Sequence, residues 1–108
     1  MNFNETKKEF RKTKEWKDFA KSLKAERKID ALTLAKLRKG CICHHLDLKP
    51  ENYKDLTSHK FETLNMKSHD VVHFLYTYYK KDPYIIKRLQ RILDKMVMYT
   101  NENSIIKK

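Results

Sequence analysis

One glycine and two prolines in 108 residues leave few breaks along the chain. With 36% of residues charged, that scarcity points to helices with wet faces. No uninterrupted apolar stretch approaches the roughly 18 residues needed to cross a bilayer, which excludes a transmembrane helix and predicts no membrane partner. The opening MNFNETKKEF lacks an apolar h-region, so no secretory signal is expected. The two cysteines, Cys41 and Cys43, lie too close together for an ordinary structural disulfide, and a reducing compartment suits them better. Together these absences predict a protein kept in a cytoplasm. Neither an internal repeat nor a low-complexity segment occurs.

What is abundant is positive charge. Twenty-five Lys and Arg face fourteen Asp and Glu, a formal net charge of +11. Such an excess favours polyanionic partners, because neutralising phosphates releases condensed counterions. The excess is concentrated: residues 1–40 carry 13 basic and 6 acidic residues, against 12 and 8 over 41–108. The first segment is therefore the expected phosphate-tracking surface. At 40% hydrophobic, with six Tyr, five Phe and one Trp, the chain can bury a modest core.

Thr6 to Arg27 reads as one helix, opened by a capping box at Thr6-Lys7-Lys8-Glu9. Trp16, Phe19, Ala20 and Leu23 recur on one helical face, opposite a face of Lys, Arg and Glu. Asp30 and Thr33 suit a turn. Gly40 is placed to adopt a left-handed turn into a short strand over 41–45. Residues 46–60 read as a loop and 61–65 as a second strand. A helix follows from Ser68 to about Lys80. Asp82-Pro83 restarts a helix over 83–99 with a wide apolar face, and the chain is expected to fray from Asn101.

Four of the five histidines form two clusters. His44 and His45 end the first strand. His69 and His73, spaced i, i+4, share a helical face on which both imidazoles can reach one metal. Strand neighbours point to opposite sides unless the chain bends, so one of the His44–His45 pair can ligate while the other faces substrate.

The stretch CICHHLD…KFETLNMKSHDVVH resembles the strand–loop–strand–helix core of the HNH, or ββα-metal, nuclease superfamily. The histidine spacing is similar to that of its bacteriocin-type DNases. The upstream FRKTKEWKDFAKSLKAER resembles the helix preceding the motif in small phage-encoded members. The resemblance covers roughly residues 7 to 75. It implies an α+β, mostly helical fold: a ββα-metal motif of hairpin and helix between an N-terminal and a C-terminal helix. Residues 1–108 would form a single domain, with a basic lead-in (1–40), the metal core (41–80) and a final helix (81–100). It implies that His44, His69 and His73 hold one divalent metal ion (Mg, Mn, Ni or Zn) and that His45 is the general base of a DNA endonuclease or nickase. Lys14, Lys17, Lys21, Arg38, Lys39 and Lys67 are the expected DNA contacts. If the chain is phage-encoded, its place is the host cytoplasm.

Three departures stand out. The family's loop-bracing Asn falls at Lys60, which we keep as a candidate catalytic residue or phosphate contact; Asn52 and Asn65 lie at other offsets. Cys41-x-Cys43 has no second pair, so a structural zinc knuckle is not expected, and the core should rest on the C-terminal helix. That helix is extra, and its apolar face suits either core packing or a homodimer. Asp47 can orient an imidazole or cap a turn, His59 is expected in solvent, and Tyr76, Tyr78 and Tyr79 suit core or base stacking. A catalytically degenerate phage protein of the same fold that binds DNA or a host protein is the alternative function, and a homodimer or a phage or host protein is the further partner expected. A small helical adaptor with incidental histidines is a third.

Overall fold

A computed structural model describes residues 2–106, with side chains described through Asn101. The fold is α+β and mostly helical: α1 (Phe3–Arg11), α2 (Lys14–Arg27), β1 (Ile42–His45), β2 (Phe61–Leu64), α3 (Met66–Tyr79) and α4 (Ile85–Ile106). Two single turns of 3-10 helix, Pro50–Asn52 and Ser58–Lys60, punctuate the loop between the strands. The chain divides into two compact units, residues 1–71 and 72–108, with the boundary inside the continuous helix α3.

The first unit begins with two helices where the sequence predicted one. The Asn2 side chain accepts from the Glu5 N–H at 2.9 Å and caps α1, so Thr6 lies inside a helix and does not cap it. The break falls at Lys12-Thr13. The Thr13 hydroxyl accepts from the Trp16 N–H at 3.2 Å, and it donates to the Phe10 carbonyl at 2.7 Å. One threonine thus closes one helix and opens the next. The break lets Phe10 turn inward, buried edge-on against Tyr53 at 5.8 Å.

Helix α2 lays its predicted face on the hairpin. Ala20, Leu23, Cys43 and Phe61 form the buried cluster, flanked by Trp16, Phe19 and Leu56. This corrects the expectation that the C-terminal helix would hold the core: no described residue of α4 is buried. Helix α2 ends at Lys28, which takes the left-handed conformation at φ 67° in the place glycine favours. The Arg27 guanidinium then ties the helix end to β2, donating to the carbonyls of Phe61 (2.6 Å) and Ser58 (2.8 Å).

Residues 28–40 are organised around Asp30, which has no accessible surface. Its carboxylate accepts the N–H groups of Leu32 (2.7 Å), Thr33 (2.9 Å) and Asn65 (2.8 Å). Burial pushes this carboxyl up. The Ser68 hydroxyl and the three amides outweigh that effect and hold it well below the usual carboxylate range. Asn65 extends the network, accepting from Arg38 N–H at 2.7 Å and donating to the Lys36 carbonyl at 3.0 Å. Gly40, at φ 86°, makes the expected turn into β1.

The strands pair antiparallel, His44 opposite Glu62 and His45 opposite Phe61. Cys43 and His45 face the α2 side, and His44 faces the other.

The second unit holds the rest of α3, from Val72, and α4. Asp82 marks the start of α4 as predicted, accepting from Tyr84 N–H and from Ile85 N–H through its carbonyl, although regular helix begins two residues later than expected. Helix α4 continues through Ile106, past the expected fray at Asn101; residues 107–108 lie outside the described residues. Leu75, Ile85 and Leu89 are half-buried in this unit. Tyr76, Tyr78 and Tyr79 keep 44–49% of their surface, so they are not core residues.

Candidate metal centre

Each histidine of the cluster is placed by a different local rule. His44 sits in β1 at a position that alternation turns away from the core. His69 and His73 stand one turn apart on α3. The ring of His44 meets that of His69 edge-on, with centroids 5.3 Å apart. One ligating nitrogen from each of His44, His69 and His73 lies within 4.8 Å of the other two.

Three imidazoles in this arrangement fit one metal ion. Nitrogens about 2.1 Å from a tetrahedral ion stand about 3.4 Å apart, so small side-chain rotations complete the site. His44 and His69 are half-buried and His73 is exposed, which gives two sheltered ligands and one at the mouth.

The start of α3 is pinned by the Asp30 network. Asn65 immediately precedes the helix, and its carbonyl accepts from the His69 N–H at 2.9 Å. Ser68, beside His69, donates to Asp30. The Asp70 carboxylate lies 3.7 Å from His69 Nδ1, a charge contact longer than a hydrogen bond. These positioning residues escaped the sequence reading. Asp30 and Thr33 signal only a turn there, and nothing in the letters joins that turn to Asn65 and Ser68, 35 and more residues away.

His45 is not brought to this cluster. Its ring lies between Tyr53 (centroids 4.2 Å apart, planes 9° apart) and Trp16 (5.4 Å, 15°), with Phe61 at 4.6 Å. Its Nε2 is 3.0 Å from the Tyr53 carbonyl. A carbonyl only accepts, so Nε2 carries a proton there. Burial pushes the His45 pKa down, the charges of Lys7 and Arg11 add to the effect, and the Tyr53 carbonyl opposes it. The placement of a ligand and a base on consecutive residues needs a bend. β1 instead runs straight through His45, which is paired with Phe61.

Lys60 braces the loop between the strands. Its ammonium donates to Asp55 at 2.7 Å and lies 3.7 Å from Asp47. Asp47 also caps its own turn, accepting from the Lys49 N–H (3.0 Å) and from the Asn52 amide (2.8 Å). The position that the resemblance gives to a bracing Asn thus holds a residue that braces by charge. The carboxylates of Asp55 and Asp47 raise the Lys60 pKa in return. His59 is exposed, as expected.

The basic candidates separate into two groups. Lys14, Lys17 and Lys21 are exposed on the side of α2 away from the hairpin, while His44 lies on the hairpin's other face, so this stripe does not line the cluster. Arg38, Lys39 and Lys67 are exposed on the segments that Asn65 joins, the lead-in to β1 and the first turn of α3. Glu62, directly across from His44, went unnoticed in the sequence. Its carboxylate shares the His44 face and lies 3.8 Å from Arg27.

Among the described residues, no helix is long and apolar enough to cross a membrane. No family model, curated protein or solved structure matches the chain.

Proposed function

We propose that the chain is a divalent-metal-dependent DNA endonuclease or nickase of the ββα-metal type. The observation that carries this reading is the convergence of His44, His69 and His73 on a strand–loop–strand–helix unit of a strongly basic chain. An all-imidazole donor set suits Zn, Ni, Co or Mn better than Mg, which prefers oxygen ligands. A divalent ion held there supplies Lewis-acid stabilisation of charge developing on the phosphodiester. Arg38, Lys39 and Lys67 hold the DNA backbone beside the site. His45 can serve as the general base only by leaving its stack between Trp16 and Tyr53. Glu62, across from His44 and 3.8 Å from Arg27, is the other candidate for that role.

The confinement of His45 also favours a second reading, in which the metal only stabilises a DNA-binding module. A supercoiled-plasmid nicking assay separates the two, run with Mg, Mn, Ni, Zn and EDTA on wild type, His69→Ala, His45→Ala and Glu62→Gln. Nicking that vanishes in EDTA and in His69→Ala establishes the nuclease, and whichever of the other two variants is inactive names the base. Protein that retards DNA with every metal and never cuts it leaves the binding module.

A further inference from the structure

The second half of α4 is apolar and has nothing in its own unit long enough to cover it. At 1.5 Å per residue, α3 from Val72 to Tyr79 spans about 12 Å, whereas α4 from Ile85 to Asn101 spans about 25 Å. Leu75, Ile85 and Leu89, all half-buried, line the cleft between the two helices. Beyond Leu89 the apolar residues are open: Ile92 keeps 52% of its surface, Leu93 47%, Met96 59%, Val97 57% and Tyr99 61%.

At 100° per residue these side chains fall within an arc of about 160°, and no charged residue interrupts it. Lys87, Asp94 and Lys95 lie away from it, while Arg88 and Arg91 border it near Phe74 and Ile92. With Ile86 and Phe74, each open side chain offers roughly 100 Å², so the face presents about 700–800 Å² per chain. That is about what one partner contributes to a standard stable interface. An unbroken apolar arc without charges has the composition of a homodimer interface, since surfaces for transient partners are about as polar as the rest of a protein. A two-fold axis brings the same patch from both chains together without any further feature.

We propose that this face of α4 is a homodimer surface, covered by the same face of a second copy of the chain. The proposal does not rest on the nuclease reading, because it concerns mass and not cutting.

The test is light scattering coupled to size exclusion on the full chain, from about 1 to 100 μM. Wild type is expected to move towards twice its 13.1 kDa mass as concentration rises. Leu93→Glu, which buries a charge at the centre of the arc, should weaken dimerisation at least about thirtyfold. Because that variant can also unfold its helix, a photo-crosslinking amino acid placed at Met96, and separately at Asp94 on the opposite side, gives a second readout in an otherwise unaltered chain. Covalent dimer from position 96 and not from 94 supports the proposal. A mass of 13.1 kDa throughout the range, or equal crosslinking from both positions, overturns it.

Discussion

Replacing Asp30 with Asn removes one charge and leaves nearly the same shape, in a position with no accessible surface. One carboxylate oxygen accepts from Leu32 and Thr33, and the other from Asn65. The amide of Asn can keep its oxygen towards the first pair. Its NH₂ then faces the Asn65 N–H, donor against donor. The Ser68 hydroxyl can rotate and accept, so one buried N–H is left without a partner. That group costs about 1–3 kcal/mol, and the remaining bonds lose their charge assistance, so the total loss is about 3 kcal/mol. A unit of this size has a stability of roughly 4–10 kcal/mol, so the loss is easily measured. Trp16 is the only tryptophan and packs against the first unit's core, so its fluorescence in a urea titration reports on that unit. The folded pKa of Asp30 is depressed, so its stabilisation is present above the unfolded carboxyl value of about 3.9 and is lost as pH falls below it. Wild type and Asp30→Asn should therefore differ most near pH 7 and converge in acid. A difference under about 1 kcal/mol at pH 7, or one unchanged at pH 3, would refute the assignment of Asp30 as the ionised centre of the loop.

His45→Phe tests the aromatic stack. Burial lowers the folded pKa of His45, so the unfolded chain takes a proton first, and wild type loses stability as pH falls below about 6.5. The variant should lack this acid loss, and its urea midpoint should change less between pH 7.5 and 5 while zinc binding, read by titration calorimetry, stays intact. Lys28→Gly places the residue without a Cβ at φ 67° and should raise stability by about 1 kcal/mol in the same melts.

Much of this architecture was legible because it is periodic. The Trp16, Phe19, Ala20 and Leu23 stripe, the two short strands and the His69–His73 pair are each a repeat of three to four or of two residues, and the fold uses all three. Contacts that join distant segments were not legible. The Thr13 break is one case: Lys-Thr-Lys carries no Gly or Pro, and the gain comes from Phe10 reaching Tyr53, some 40 positions on. The apolar stripe of α4 is another. Periodicity identifies a face that must be covered, but not what covers it, and the sequence reading expected the core to rest there.

The His44–His45 pair marks the limit most clearly, because a single rule decides it. Two adjacent histidines on a regular strand must serve two faces. The pairing of His45 with Phe61 keeps β1 regular to its last residue, so one ring goes to α3 and the other to the aromatic side of α2. Trp16 and Tyr53, the rings that hold His45, come from a helix and a loop 29 residues before it and 8 after it. A bulge at His45 would bring its ring round to the metal ligands, but it would also break the stack with Tyr53 and the Nε2–Tyr53 bond. The choice between a catalytic and a structural His45 is thus a choice between two states of one residue's backbone.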